Sequence, residues 1–248
     1  MSLVINQEQS TKHSLETLSI LGEYDAYIDN IKSIADMGCG IGVDSYWWAT
    51  LPKIDESPRN IKVNAVDNAL DLIRCYQHEN INYIAADFSN SGLPLNSQNL
   101  IWAHNSLQYS LNPLTTLSHW HDILTVDGML VISVPYYFYM NTHNDITNVS
   151  TTYVNGCFFN WTMGNLIMSL AATGFDCREA HFKIDRTENW LQAAVYKLPK
   201  KHPINTNWYD LLPYLPLTVE QALIKKGTFQ ESDIQVTWID RSQYMLNI

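Results

Sequence analysis

The sequence predicts an α/β protein, built on a seven-stranded, mostly parallel, doubly wound sheet with helices on both faces. Three observations predict it. Short apolar runs of strand length alternate with segments of helical period from Ser33 to Val134, and such alternation is met by a parallel sheet with crossover helices. Three glycines at alternate positions follow the first run, in Ile34-Ala-Asp-Met-Gly-Cys-Gly-Ile-Gly42. The last two β-like runs, 175–184 and 190–198, leave no room for a helix between them, so they pair as a hairpin.

The elements follow in order. Leu15, Leu18, Leu21, Tyr24 and Ile28 recur at helical spacing and predict a helix over 14–31, with Gly22 inside it. Ser33–Asp36 is a short strand running into the glycines, and Val43–Leu51 is a helix stopped by Pro52. Ile61–Val66 is the second strand, ending at Asp67; 69–78 is helical; Ile81–Ala86 is the third strand, ending at Asp87. Leu100–Ala103 is the fourth strand, ending at His104-Asn105. Asn112 caps the next helix with Pro113 at its first position. Asp127-Gly128 turns the chain into a fifth strand, Met129–Val134, closed by Pro135. A long polar and aromatic stretch, 136–160, precedes a helix over 162–173 that Thr173-Gly174 stops. After the hairpin, Thr218-Val-Glu-Gln221 reads as a capping box and Gly227 as a helix stop, with one more strand at 235–239. The division expected is an N-terminal helical lid segment over 1–29, a core domain over 30–198, and an appendage over 199–248 packed on the core.

The totals exclude several classes. The chain has 248 residues, 46% of them hydrophobic and 16% charged, a globular composition. A net charge of −10 with only two adjacent basic pairs, Lys200-Lys201 and Lys225-Lys226, argues against a nucleic-acid partner, whose phosphates need clustered cations. The four cysteines, Cys39, Cys75, Cys157 and Cys177, are scattered with no C-x-x-C pair, so a cysteine-rich metal site is not expected and reduced thiols are. The N-terminal residues lack a signal-peptide pattern, and no apolar run approaches the roughly 20 residues of a membrane span. A cytoplasmic protein is expected.

The glycines carry the chemistry. Glycine takes backbone angles other residues avoid and lets a ligand reach the main chain. A strand, a glycine turn and a helix N-terminus together form a nucleotide-type site. Three acids sharpen it. Asp36, just before the glycines, suits a cationic amine and not a phosphate. Asp67 can hold both hydroxyls of a ribose. Asp87 can accept from an exocyclic amine while Phe88 packs on the base. Val43 breaks the dinucleotide pattern G-x-G-x-x-G, and no G-K-[ST] follows, which excludes a Walker-type loop.

With Asp36-x-Gly38-Cys-Gly40-x-Gly42, Asp67, Asp87-Phe88, Ala103–Tyr109 and Phe159–Phe175 on the page, the chain resembles the class I methyltransferases that use S-adenosylmethionine. The resemblance spans about residues 30–198. It implies a sheet of order 3-2-1-4-5-7-6 with strand 7 antiparallel. It also implies that Gly38, Cys39, Gly40 and Gly42 lie against the methionine part and ribose, and that Asp36 receives the amino group. Asp67 with Asn68 would take the ribose hydroxyls, Asp87 and Phe88 the adenine, while His104 and Asn105 border the methionine end.

On the acceptor side, the candidates lie after the fourth and fifth strands, outside their carboxyl ends. His104 is nearest in sequence to the expected methyl position and is the first candidate for a proton acceptor; a hydrogen-bonded structural histidine is the other role open to it. Tyr109 and Tyr136 are the further catalytic candidates, each equally suited to packing. Tyr137, Tyr139 and His143 belong to the same aromatic run, which lines either a pocket or a lid. His119 and His121, two apart on a helix, point away from each other and read as a solvated face. The expected function is methyl transfer to a small-molecule acceptor. A protein or peptide substrate, or a silent cofactor-binding module, are the alternatives.

Overall fold

The computed structural model describes residues 25–53, 57–69, 76–136, 157–185, 190–199, 201–202 and 207–234. Residues 1–24 of the expected lid over 1–29, most of the helix over 69–78, Tyr137, Tyr139, His143, Cys75 and the strand at 235–239 lie outside the described residues.

The elements run α1 (Asp25–Asn30), β1 (Ser33–Met37), α2 (Val43–Thr50), β2 (Lys62–Asp67), β3 (Ile81–Ala85), β4 (Gln98–His104), α3 (Pro113–Ile123), β5 (Leu124–Pro135), α4 (Met163–Ala172), β6 (Phe175–Asp185), β7 (Trp190–Lys197), α5 (Trp208–Leu211) and α6 (Leu217–Lys226). The seven strands form one sheet in the order β3-β2-β1-β4-β5-β7-β6. β1 pairs with β2 and β4 in parallel, and β2 with β3 and β4 with β5 likewise. β7 is antiparallel to both β5 and β6. This is the expected order and polarity. β5 begins five residues earlier than the sequence suggested. Leu124 already pairs with Gln98 across a register shift, and Asp127, at φ 61, bends the strand without ending it.

Central strands covered on both faces must be apolar throughout, and β1 and β4 are buried at nearly every position. The two faces carry separate cores. On one, Ile34, Val63, Leu100, Trp102, Met129, Val131 and Ala194 pack against Trp48 and Ala49 of α2. On the other, Ala35, Met37, Val66, Ile101, Ala103, Leu130, Ile132 and Val134 meet Leu117 and Trp120 of α3 and Leu166, Ile167 and Leu170 of α4. Leu215, Val219, Leu223 and Ile234 join this larger core, so the described part of the C-terminal segment is packed on the sheet's α3–α4 side.

Helix ends test the local chemistry. Asn112 caps α3 through Thr115, with Pro113 at the first position, as the sequence predicts. α4 carries a full capping box: Thr162 accepts from the Asn165 backbone, and the Asn165 side chain accepts from the Thr162 backbone. The box expected at Thr218 does not form. α6 starts at Leu217 after Pro216, with no side-chain cap, and the Thr218 hydroxyl is buried without a partner. Proline closes that position first, because its fixed φ suits a helix entrance. The pair His119 and His121 needs a second correction. His121 is buried, hydrogen-bonded through Nε2 to the Leu198 carbonyl, and burial pushes it down to about 4. His119 Nε2 accepts from the Ser91 backbone. The Asn112–Pro113 start rotates α3 so that His121 faces Phe175 of β6 instead of solvent.

Candidate active site

The glycine loop leaves the carboxyl end of β1 and is tied to its neighbour strand at once. The Gly38 and Cys39 amides both donate to the Val66 carbonyl, at 2.8 and 3.1 Å. Gly38, Gly40 and Gly42 all have left-handed backbones, at φ 79, 53 and 85. At two of them a side chain has no room. A Cβ on Gly38 would stand 2.5 Å from the Cβ of Ser106, and one on Gly42 would stand 2.3 Å from the Tyr83 hydroxyl. The loop is thus fitted against the turn after β4 on one side and β3 on the other.

The three acids take distinct positions. Asp67, at the end of β2, accepts from the Gly40 amide through Oδ2 at 2.9 Å and from the Ala69 amide through Oδ1 at 2.8 Å. Each carboxylate oxygen still has a lone pair to offer, so the side chain holds the loop and can serve a ligand together. Asn68 beside it is exposed. Asp87 is exposed, and its Oδ1 caps the 3-10 turn Phe88–Asn90 by accepting from Ser89 N at 2.8 Å. The Phe88 carbonyl is anchored by Trp120 Nε1 at 2.9 Å, and its ring lies 6.2 Å from that indole. Asp36 differs. It is 2% exposed, with the Ser45 hydroxyl of α2 donating to it at 2.5 Å. Burial, then the neighbouring Asp44 carboxylate, pushes its carboxyl up to about 8. It lies under the helix that follows the loop, and its partner is a hydroxyl. The Cys39 thiol is pushed up chiefly by burial, with Asp36 and Asp67 adding to it, which leaves it an unreactive thiol.

The acceptor-side residues separate. His104 closes β4, is 8% exposed, and has its ring stacked between Trp190 (5.7 Å, 24°) and Trp102 (6.5 Å, 14°). Trp102 is fixed in turn by Nε1 donating to Asp44 at 2.8 Å and by an edge contact with Trp48. Register sets His104 beside Ser133 and Ser133 beside Gln192, so three polar residues follow one another across β4, β5 and β7 where the apolar row Trp102–Val131–Ala194 ends. Asn105, at φ 55, turns the chain; its amide donates to the Ser133 carbonyl, and its side chain accepts from Gln108. Tyr109 sits on the rim, 38% exposed, its phenol raised first by burial and then by Cys157. Tyr136 is 2% exposed within the larger core on the α3–α4 face, whereas the Trp102–His104–Trp190 stack continues the other face. His104 and Tyr136 are therefore not brought together. Trp190, Asp44, Ser133 and Gln192 escaped the sequence reading, and Ser106 entered it only within the Ala103–Tyr109 stretch. Period-two alternation could have put Trp190 and Gln192 on one face, but nothing local reveals which strand they pair with.

Among the described residues no group of three His, Cys, Asp or Glu side chains could hold a metal ion, and no helix is long and apolar enough to cross a membrane.

The strand order and the glycine turn at the end of β1 define a Rossmann-like α/β fold. Residues 35–132 match the family described as a methyltransferase domain. No curated protein matches the chain. Solved structures of similar fold include an S-adenosylmethionine-dependent methyltransferase from Mesorhizobium loti (18% identity, 67% of this chain and 91% of that one, TM-score 0.53). Another is the Burkholderia thailandensis 1,6-didemethyltoxoflavin-N1-methyltransferase, with its acceptor and S-adenosylhomocysteine bound (16% identity, 74% and 76% covered, TM-score 0.52). A third is a Haemonchus contortus N-methyltransferase in complex with phosphomonomethylethanolamine and S-adenosylhomocysteine (15% identity, 73% and 52% covered, TM-score 0.55). The match over residues 35–132 and the likeness to these structures support an S-adenosylmethionine-dependent methyltransferase.

Proposed function

We propose that this protein is an S-adenosylmethionine-dependent methyltransferase acting on a small-molecule acceptor, with the cofactor held by the glycine loop, Asp67 and Asp87 and the acceptor placed beside His104. The observation that carries the reading is the Asp67 carboxylate, locked onto the Gly40 amide at 2.9 Å at the mouth between β1 and β2. A rigid acceptor pair at that point suits the two hydroxyls of a ribose. The left-handed glycines leave the backbone open to a ligand, and the exposed Asp87 with Phe88 stands one strand further out for the base. Asp36 acts on the loop from below, through Ser45, instead of meeting the amino group directly.

Bound S-adenosylmethionine supplies a methyl on a sulfonium, ready for in-line displacement. What remains for the chain is to orient the acceptor, exclude water and take up a proton. The indoles of Trp102 and Trp190 restrict the His104 ring and keep water from it, which suits a group that must receive a proton at a fixed place. Tyr109 stands at the rim. The aromatic enclosure supports a small acceptor over an extended peptide. The Burkholderia and Haemonchus proteins, of the same fold, bind small acceptors.

Calorimetry with S-adenosylhomocysteine tests the cofactor placement. Asp67→Ala is expected to weaken binding by at least tenfold, the loss of a charge-assisted contact of about 1.5–3 kcal/mol, with the circular dichroism spectrum kept. Unchanged affinity would reject the ribose role. A screen of small acceptors by release of S-adenosylhomocysteine then tests the acceptor class; turnover on denatured protein extracts alone would overturn it.

A further inference from the structure

We infer that Asp44 is a positioning residue for the transfer step: through the indole of Trp102 it holds His104 at a fixed place relative to the glycine loop. The assignment rests on the role proposed above for His104. Asp44 lies in the first turn of α2, just past Gly42. Its Oδ2 accepts from Trp102 Nε1 at 2.8 Å, across 58 positions of sequence. Trp102 is 1% exposed, and its ring stacks on His104.

Two observations give this bond a purpose beyond satisfying a buried group. A buried indole N–H ordinarily finds an acceptor, and two such indoles lie together here. Trp48 meets Trp102 edge-on at 5.6 Å and is just as buried, yet its Nε1 has no partner. The Asp44 carboxylate goes to the ring that stacks on His104, and the ring packed behind it is left without. The charge is also placed at a cost. Burial, and then the Asp44 carboxylate, push the Asp36 carboxyl up, so an acid at position 44 works against its neighbour. An acid in the first turn does favour the helix dipole, but that effect needs no partner on β4.

The bond fixes an orientation. The χ2 torsion of tryptophan is broad and roughly two-fold, and the Nε1–H contact with Asp44 selects one setting of the indole. The same turn of α2 is tied to the cofactor side. Ser45 donates to Asp36 beneath the loop, and the Gly42 carbonyl accepts from the Tyr46 amide at 2.9 Å. Asp44 thereby sets the His104 stack in register with the backbone that ends the glycine loop. In-line displacement depends on that register, since a misplacement of about 1 Å can cost about a hundredfold in rate.

Three variants of the full chain test the assignment. Asp44→Leu removes the acceptor, Asp44→Asn keeps an oxygen in its place, and Trp102→Phe keeps a ring without a donor. Affinity for S-adenosylhomocysteine should stay within about twofold in all three, since no loop contact is removed. In Asp44→Leu the nuclear Overhauser contacts between the His104 and Trp102 rings should be lost. Its kcat for the acceptor returned by the screen above should fall about tenfold or more, with KM little changed. Asp44→Asn should restore both. Trp102→Phe should match Asp44→Leu in turnover, and the double variant should be no worse than either, because both remove one bond. Unchanged ring contacts in Asp44→Leu overturn the assignment, and so does wild-type turnover. A leucine-sized loss in Asp44→Asn also overturns it, by moving the effect to the charge. Additive losses in the double variant, or a loss of S-adenosylhomocysteine affinity as large as the loss of turnover, overturn it by moving the effect to α2 and the loop. Should Asp44→Leu fail to fold, full turnover in Trp102→Phe overturns it equally. Wild-type turnover in His104→Gln would instead sink the role proposed for His104, a result distinct from any of these.

Discussion

The carboxyl edge of the sheet has two halves, and they are built on different principles. The β1–β2–β3 half is made of backbone: left-handed glycines, the Gly38 and Cys39 amides tied to Val66, and the Asp67 carboxylate fixed by the Gly40 and Ala69 amides. The β4–β5–β7 half is made of side chains from three strands, with His104 between two indoles and Ser133 and Gln192 beside it. The first half suits a cofactor that never changes. The second half can be altered by substitution without touching the loop, which suits an acceptor that differs from one such enzyme to the next.

The largest effect should come from disturbing the backbone half. Gly42→Ala combines a left-handed backbone with a Cβ 2.3 Å from the Tyr83 hydroxyl. It is expected to cost about 2–4 kcal/mol in chemical denaturation and to abolish cofactor binding. Gly40→Ala shares the left-handed backbone, but nothing lies within 4 Å of its Cβ. Its cost should stay near 1–2 kcal/mol, roughly the strain alone. Equal losses would mean that the fit against Tyr83 plays no part.

The side-chain half is probed through Trp190. Trp190→Ala removes one wall of the His104 stack while leaving every loop contact in place. Affinity for S-adenosylhomocysteine should stay within about twofold, while kcat/KM for the acceptor found by screening drops by at least about tenfold, as expected when a reacting group loses its orientation. A matching loss of cofactor affinity would erase the division between the halves.

This division also decides what was legible in the sequence. Backbone chemistry is local, so Gly38, Gly40, Gly42, Asp67 and Asp87 can be found from spacing; alternation gave the parallel sheet and its closing hairpin, while the strand order came from the family resemblance alone. Trp190 is 86 residues from His104 and meets it only because β7 inserts antiparallel beside β5. No local pattern encodes that register. Asp36 shows a subtler limit. Its position in the motif was legible, but its burial under α2 depends on Ser45, nine residues on and on another element.

That burial has a pH signature. The unfolded chain loses the Asp36 proton near 3.8, while the folded protein keeps it to about 8. The stability this gives is full below the first value and is lost as pH rises to the second. His121 has the opposite sign: unfolded near 6.5, folded about 4, so its contribution is full above the first and lost as pH falls to the second. Asp36→Asn removes only the alkaline loss. Denaturation of ligand-free protein should find it more stable than wild type by about 1–3 kcal/mol at pH 8 and nearly equal at pH 4. A constant difference across that range would show that the carboxyl does not titrate in the fold.

The smallest effects separate two threonines at helix starts, of which the sequence pointed only to Thr218 as a cap. Thr162 caps α4 reciprocally with Asn165, whereas Thr218 lies inside α6 with its hydroxyl buried and unpartnered. Thr162→Ala should therefore cost about 1 kcal/mol. Thr218→Val keeps the shape and removes the unsatisfied group, so it should be neutral or stabilising by up to about 1 kcal/mol. The contrast holds because a cap satisfies helix amides only from outside the first turn, and Pro216 has already taken that place on α6. Equal destabilisation by both substitutions would mean that α6 begins at Thr218 in solution and that its hydroxyl does cap.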